Sequence, residues 1–128
     1  MEYHFSKKVG LPFAKAIERT TEELQKQGFG IITTIDMKKT FKNKLNVDFR
    51  NYTILGACNP EYACKGLSAE DKLGVLLPCN VVVQEHDNGE VEISMINPEE
   101  MVLGIDSPEM KVFAGDVKES LLEAFRNI

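Results

Sequence analysis

The segment that decides the fold is Tyr52–Val83, which reads YTILGACNPEYACKGLSAEDKLGVLLPCNVVV and contains all three cysteines of the chain. Two near-copies of one motif stand in it, Ala57-Cys58-Asn59-Pro60 and Leu77-Pro78-Cys79-Asn80. Each motif adjoins a strand-like apolar run. We therefore expect two strands whose ends carry the cysteine–asparagine pairs, and a candidate site at those ends.

A helix is expected between these two strands. Asn59 is a typical helix N-cap, Pro60 suits the first helical position, and Glu61 places an acid in the first turn. Ala63 and Leu67 are predicted to form the buried side of this helix. The proline of the second motif cannot donate to a sheet ladder, so the second strand is expected to start at or just after it.

Three further strands are predicted outside this segment. Residues 2–9 alternate in the manner of a strand, and residues 29–35 are rich in β-branched side chains. Asn88-Gly89 is a two-residue hairpin signal between residues 81–86 and 90–96. Together with the segment 52–57, these runs predict about five strands.

Two long helices complete the predicted pattern. The first opens at Pro12 and ends at Gly28, and the second begins at Ser107-Pro108. The second has an apolar stripe of four residues spaced four apart, Phe113, Val117, Leu121 and Phe125. This order of elements predicts a single α+β domain over residues 1–128, with a mainly antiparallel sheet and both long helices on one face.

A basic segment follows the second predicted strand. Asp36 is an N-cap signal, and three apolar residues at helical spacing, Met37, Phe41 and Leu45, predict a seam. Lysines fill most of the remaining positions between residues 38 and 44. This face is interpreted either as a patch for a phosphate or acidic ligand, or as solvated charge, which is the usual role of such runs.

The composition is typical of a soluble globular protein. The 128 residues are 43% apolar and 27% charged, which suits one ordinary domain. A net charge of −5 argues against a nucleic-acid partner, because such a partner usually requires a basic footprint. The N-terminal residues lack the apolar core of a secretory signal, and no run reaches the roughly 20 apolar residues of a membrane span. We expect a cytoplasmic protein with reduced cysteines and no membrane contact.

The candidate ligand-binding residues are Cys58, Asn59, Cys79 and Asn80. If the two motif-bearing strands are antiparallel neighbours, all four residues converge at one edge of the sheet. Cys58 then precedes a helix N-terminus, where backbone N–H groups and the helix dipole favour thiolates and attract anions. The alternative is that both cysteines are small buried residues and both asparagines cap helices or turns. Cys64 lies beside the buried stripe of its helix, which favours partial burial over chemistry.

The chain lacks the complete residue sets of the common catalytic and metal sites. Cys58 and Cys79 supply two ligands where structural zinc needs four, and His4 and His86 are distant in sequence. A CxxC pair, a P-loop and a dinucleotide-binding glycine motif are absent. We therefore predict neither catalytic residues nor a metal site, and we identify no cofactor.

The same residues resemble a known family, domain-of-unknown-function family 302. The matching positions extend over nearly the whole chain and include Asp48-Phe49-Arg50, Ile54-Leu55-Gly56-Ala57-Cys58-Asn59-Pro60, Leu76–Val83 and Asn97-Pro98. The resemblance implies a curved antiparallel sheet backed by helices, similar to the TATA-binding-protein-like group. It carries over no catalytic or binding roles. It is also no reason to predict DNA binding, because function depends on sites and not on folds.

Three functions are compatible with these features. We favour a non-enzymatic binding module that holds a small ligand, anionic or thiol-reactive, near the four candidate residues and in contact with the basic helix. The second is a thiol-dependent redox enzyme or sensor with Cys58 as nucleophile and Cys79 as resolving thiol, which requires Cα atoms within about 7 Å. The third is a structural homodimer in which the motif only packs. A homodimer also suits the first two, since two-fold oligomers are common.

Overall fold

The computed structural model of the protein describes residues 2–128. Its strands are β1 (His4–Val9), β2 (Gly30–Asp36), β3 (Tyr52–Cys58), β4 (Cys79–Glu85) and β5 (Val91–Ile96). Its α-helices are α1 (Phe13–Lys26), α2 (Met37–Leu45), α3 (Pro60–Ala69), α4 (Pro98–Met101) and α5 (Pro108–Arg126), with a 3₁₀ turn at Leu73–Leu76. None of the helices within residues 2–128 is long and apolar enough to cross a bilayer.

The five strands form one open sheet in the order β1-β5-β4-β3-β2, and every neighbouring pair is antiparallel. Gly89 turns the β4–β5 hairpin with a φ of 85°, a conformation that glycine adopts without strain. The predicted hairpin is present, but its loop has three residues, 87–89, and not two, because the backbone of His86 pairs with that of Glu90. In the central pair, Ala57 of β3 lies opposite Cys79 of β4. The predicted α+β class with a mainly antiparallel sheet of about five strands is confirmed.

The two long helices, α1 and α5, pack together on one face of the sheet, as the sequence predicts. Alternate residues of the central strands point into this core and are fully buried, as Val81, Val83, Ile93 and Met95 show. The helices complete the same core. Helix α1 contributes Leu24, and α5 contributes the middle of its predicted stripe, Val117 and Leu121. The phenylalanines at the two ends of that stripe are partly buried against it.

Local capping chemistry sets where the helices begin. The Asn59 side chain accepts hydrogen bonds from the backbone N–H groups of Glu61 and Tyr62, which fixes the first turn of α3. Asp36 and Ser107 accept in the same way at the starts of α2 and α5. These three starts agree with the N-cap signals in the sequence.

Two predicted apolar faces differ from the structure. Helix α2 has no fully buried residue, and Leu45 is 65% exposed, because the helix follows the edge strand β2 at the margin of the sheet. Of the predicted seam, Met37 and Phe41 are half-buried, and Phe41 packs edge-on against Phe49 at 5.0 Å. In α3 the buried residue is Gly66, whereas Leu67 is 41% exposed. A glycine at this contact lets the helix backbone approach its neighbours closely, and Leu67 is left at the rim of a cleft.

Candidate functional site

A cleft of about 270 Å³ opens where β3 ends and β4 begins, bordered by α3 and α5. We call it the apolar cleft because the residues that line it carry no charge; they are Phe29, Ile32, Ala57, Cys58, Asn59, Tyr62, Ala63, Leu67, Leu77, Pro78, Cys79, Met101, Phe113 and Val117.

Three aromatic rings form one wall of the apolar cleft. The ring of Tyr62 lies 6.3 Å from that of Phe29 and 6.2 Å from that of Phe113, the latter in an edge-on arrangement that aromatic pairs prefer. The Tyr62 hydroxyl is 3.0 Å from the Ser120 hydroxyl, which gives its polar tip a partner. The wall therefore presents a fixed apolar surface assembled from β2, α3 and α5 and the residues beside them.

Exposed apolar side chains surround the mouth of the cleft. Ile32 is 61% exposed and lies at an irregularity of β2, where the register with β3 shifts between Ile31 and Thr33. A bulge of this kind re-aims a side chain out of the regular alternation. Together with Leu67 on α3, Ile32 forms an apolar rim at the cleft.

Both cysteines of the repeated motif line this cleft. Cys79 is 5% exposed, and its cross-strand partner is Ala57, so Cys58 lies one residue beyond that partner. Burial raises the pKa of the Cys79 thiol from 9.0 to about 11, and the nearby Cys58 adds to the effect. At neutral pH Cys79 is therefore a protonated thiol, whereas Cys58 lies half-buried at the end of β3.

Asn59 lines the same cleft but has structural partners at both ends of its amide. Its oxygen caps α3, and its Nδ2 donates to the backbone carbonyl of Gln27 at 3.3 Å. A Cβ on Gly28 would lie 2.9 Å from that nitrogen, and Gly28 has a φ of 85°, so the loop and the amide fit tightly together. Asn59 thus ties the end of α1 to the start of α3.

Asn80 does not join the other three candidate residues. It lies opposite Gly56 in the β3–β4 ladder and is exposed. Because successive side chains of a strand point to opposite faces, Asn80 lines a different cavity, of about 420 Å³, on the open face of the sheet. The structure therefore brings Cys58, Asn59 and Cys79 together and places Asn80 on the other face.

The open face carries polar groups that the sequence did not single out. His4 Nδ1 lies 2.8 Å from the Ser6 hydroxyl, which donates to the Ser94 hydroxyl at 2.7 Å. Arg50 Nε donates to Gln84 at 3.0 Å. The i, i+2 spacing of His4 and Ser6 on a predicted strand is the one sequence signal for this chain of hydrogen bonds. Cys64 lies apart from both cavities, exposed in a wider groove between α3 and α5.

The basic helix does not reach the apolar cleft. Helix α2 begins after Asp36, which pairs with Thr53, whereas Gly30 at the other end of β2 pairs with Cys58. Six residues of strand separate these ends, which is about 20 Å. Within residues 2–128, no group of three or more His, Cys, Asp or Glu side chains is arranged to hold a metal ion.

Comparison with known proteins identifies one family. The model of the family described as "Domain of unknown function DUF302" matches residues 5–128. The crystal structure of an uncharacterized conserved protein DUF302 from Bacillus stearothermophilus is similar to this chain with a TM-score of 0.92 and 28% sequence identity, covering 99% of this chain and 98% of that one. No curated protein matches the chain. These matches confirm the resemblance indicated by the sequence motifs.

Proposed function

The chain belongs to the DUF302 family, and we propose that it is a non-enzymatic binding module that takes a small, uncharged and largely apolar ligand into the apolar cleft. The observation that carries this proposal is a cleft of about 270 Å³ with no charged side chain in its lining. Small-molecule sites are typically concave, mostly apolar and supplied with few polar groups. Here those few groups are the amide of Asn59, the hydroxyl of Tyr62 and two thiols.

The polar groups at the cleft favour an uncharged ligand over the anionic one considered from the sequence. The first N–H groups of α3, which would attract an anion, already donate to Asn59 Oδ1. The Tyr62 hydroxyl is paired with Ser120. An ion that entered this lining would lose its hydration without gaining a counter-charge, which is costly.

The size of the cleft sets the expected affinity. A ligand as large as an aromatic side chain hides about 200 Å² of apolar surface. At about 25 cal/mol per Å² this burial contributes about 5 kcal/mol. Because association also costs translational and rotational freedom, that free energy sets an upper limit on the affinity, a dissociation constant on the order of 0.2 mM. A natural ligand that also reaches Asn59 or a thiol would bind more tightly.

The test is a calorimetric titration with indole, a small uncharged aromatic probe, of the native protein and two variants of α3. Ala63→Phe fills the apolar cleft, whereas Ala69→Phe places the same ring in the neighbouring groove. We expect binding in the native protein and in Ala69→Phe, and its loss in Ala63→Phe. Equal binding by the two variants, or none by the native protein, would refute the proposal.

A second candidate is dithiol redox chemistry, and the short backbone separation of the two cysteines is the observation behind it. From a ladder spacing of about 5 Å and a rise of about 3.4 Å, the Cα atoms of Cys58 and Cys79 are roughly 6 Å apart. That separation is within disulfide reach, but Cys58 follows the cross-strand partner of Cys79, so strand alternation turns the two side chains to opposite faces and a disulfide requires the end of β3 to move. The protonated state of Cys79 at neutral pH opposes a fast exchange role. Intact-mass analysis after treatment with glutathione disulfide decides: an internal Cys58–Cys79 disulfide supports this candidate, and two persistent free thiols reject it.

A further inference from the structure

The two edges of the sheet differ in how well their main chains are protected. Strands β1 and β2 are the outer strands, so one side of each has no neighbouring strand. Unpaired N–H and C=O groups at an edge are a template for pairing with another chain, and proteins block such edges with lysine, proline, bulges or a covering segment. We propose that the β2 edge is the interface through which two copies of this chain form a symmetric dimer, by antiparallel pairing of β2 with β2.

Strand β1 carries features that block pairing. Lys7 and Lys8 are adjacent on it, so each face of the strand has a charge. Lys8 pairs with Glu90, and Lys7 Nζ donates to the backbone carbonyl of Phe125 at 2.6 Å, which holds a charged side chain over the core side of the edge. A strand added here would displace or desolvate both lysines, so this edge is unfavourable for pairing.

Strand β2 lacks most of this protection. Its residues 30–35, GIITTI, include neither a charged residue nor a proline, and residues 32–36 are exposed. Within residues 2–128, no backbone hydrogen bond joins residues 30–35 to any segment other than β3. The bulge between Ile31 and Thr33 disturbs the start of the strand only and leaves residues 33–36 in regular register with β3. This regular part is open to a further strand.

The open stretch is complementary to itself. In a dimer with its two-fold axis at Thr34, that residue lies opposite its own copy, and Thr33 lies opposite Ile35 of the second copy. These residues are uncharged and β-branched, and such cross-strand pairs stabilise a sheet. Because opposite residues of a ladder share a face, the product is one antiparallel sheet with five strands from each copy and all the long helices on the same side.

Charges at the two ends of β2 also match across this axis. At the start of β2, Gly30 pairs with Cys58, and the exposed Glu61 follows in the first turn of α3. At the end of β2, α2 begins with the exposed lysines Lys38 and Lys39. An antiparallel second copy brings its α2 beside the α3 of this chain, so that opposite charges meet at both ends of the interface. Since this chain supplies both the acid and the bases, a second copy is the partner that fits.

The interface is expected to be small. A strand edge with its flanking helix ends falls below the roughly 800 Å² per partner of a standard complex, and interfaces of that class are weak and transient. We therefore expect a dimer that forms at micromolar concentrations. This inference goes beyond the apolar-ligand proposal and does not rest on it, because dimer formation and indole binding are measured separately and either one can fail alone.

The experiment is sedimentation velocity of the native protein and two lysine variants. Protein concentrations from about 1 to about 500 μM bracket the association expected of a small interface. Ile35→Lys places a charge on the exposed edge of β2, diagonal to the same lysine of the second copy. Val112→Lys makes the same kind of change at an exposed apolar residue of α5, outside the proposed interface, and is the matched control.

We expect a monomer–dimer equilibrium in the native protein and in Val112→Lys. In Ile35→Lys the dimer should be at least about tenfold weaker, because like charges on neighbouring strands repel. Amide hydrogen exchange locates the interface: protection of residues 33–35 should rise with protein concentration, whereas protection of β1 should stay constant. Circular dichroism checks that each variant is folded, and if Ile35→Lys does not fold, Thr34→Lys takes its place.

Three results would overturn the proposal. The first is a native protein that stays monomeric over the whole concentration range. The second is a dimer that is as tight in the β2 variant as in the native protein. The third is concentration-dependent protection at β1 in place of β2, which would assign the interface to the other edge.

Discussion

Cys58 lies one residue beyond the cross-strand partner of Cys79, and both side chains line the apolar cleft. This relationship follows directly from the antiparallel pairing of β3 and β4, since the end of one strand lies beside the start of the next. The fold therefore brings two copies of a cysteine motif, 21 positions apart in the sequence, to one end of the sheet. The two thiols differ in burial, and that difference makes them distinguishable by experiment.

The three cysteines should react with a thiol reagent at three different rates. Cys64 is exposed, Cys58 is half-buried and Cys79 is buried and protonated. Because the thiolate is the reactive form and must be accessible, we expect Cys64 to label first, Cys58 next, and Cys79 only after unfolding. Mass spectrometry of peptides from timed reactions assigns each site. Labelling of Cys79 in the native protein as fast as Cys64 would contradict the buried position.

The raised pKa of Cys79 should make the protein less stable at high pH. Above pH 9 the unfolded thiol ionises while the native thiol keeps its proton until about pH 11. The native state then binds more protons than the unfolded state, so the free energy of unfolding falls as the pH rises through this window. The fall is about 1.4 kcal/mol per pH unit. Urea unfolding from pH 8 to 11 measures it.

The matched variant for this pH experiment is Cys79→Ala, which removes the titrating group and leaves the other ionisable residues in place. We expect the native protein to lose about 2–3 kcal/mol more than Cys79→Ala across the same range. Parallel stability curves for the two proteins would show that Cys79 titrates normally in the fold.

The two asparagines of the motifs should differ in their effect on stability. Asn59→Ala removes the cap of α3 and the bond to Gln27, so the free energy of unfolding should fall by about 1–2 kcal/mol. Asn80→Ala changes an exposed side chain on the open face and should stay within about 0.5 kcal/mol of the native protein. Denaturant unfolding of the two variants measures this difference. Equal losses in the free energy of unfolding would contradict the structural role of Asn59.

Two helical glycines should respond in opposite directions to alanine. A Cβ on Gly66 would lie 2.5 Å from Leu73 Cδ2 and 2.9 Å from Phe113 Cζ, so Gly66→Ala should destabilise the protein by about 1–3 kcal/mol. A Cβ on Gly115 of α5 meets nothing within 4 Å, and Gly115→Ala should stabilise by up to about 1 kcal/mol. Thermal unfolding of both variants measures the contrast. Since Phe113 also lines the apolar cleft, Gly66→Ala should weaken indole binding as well.

The features that were predictable from the sequence are those set by local chemistry. Helix starts are predictable because the side-chain oxygen of an N-cap residue accepts hydrogen bonds from the free N–H groups of the first turn, as it does at Asn59, Asp36 and Ser107. The pair Asn88-Gly89 predicts the hairpin because a tight turn requires a residue with positive φ, which is Gly89 in the structure. These signals need only a few neighbouring residues, and the structure confirms them.

The composition of the cleft depends on contacts between distant segments and could not be predicted in the same way. Phe29, Met101 and Phe113 reach the motif only through the strand order and the packing of α5. The bulge that re-aims Ile32 has no signature in its β-branched run. The exclusion of Asn80 follows from strand alternation, yet it required the observation that β4 begins at Cys79 and not later. The expected homodimer stays a prediction.

The most direct test of the proposed site is a methyl-labelled NMR titration of the native protein with indole. The apolar cleft and the open face carry different reporters: Leu67, Leu77 and Val117 line the first, and Val82 and Ile96 line the second. We expect saturable shifts of the methyl groups of Leu67, Leu77 and Val117, with Val82 and Ile96 unmoved. Shifts confined to Val82 and Ile96, or no saturable shift at the cleft, would contradict the assignment of this cleft as the ligand site.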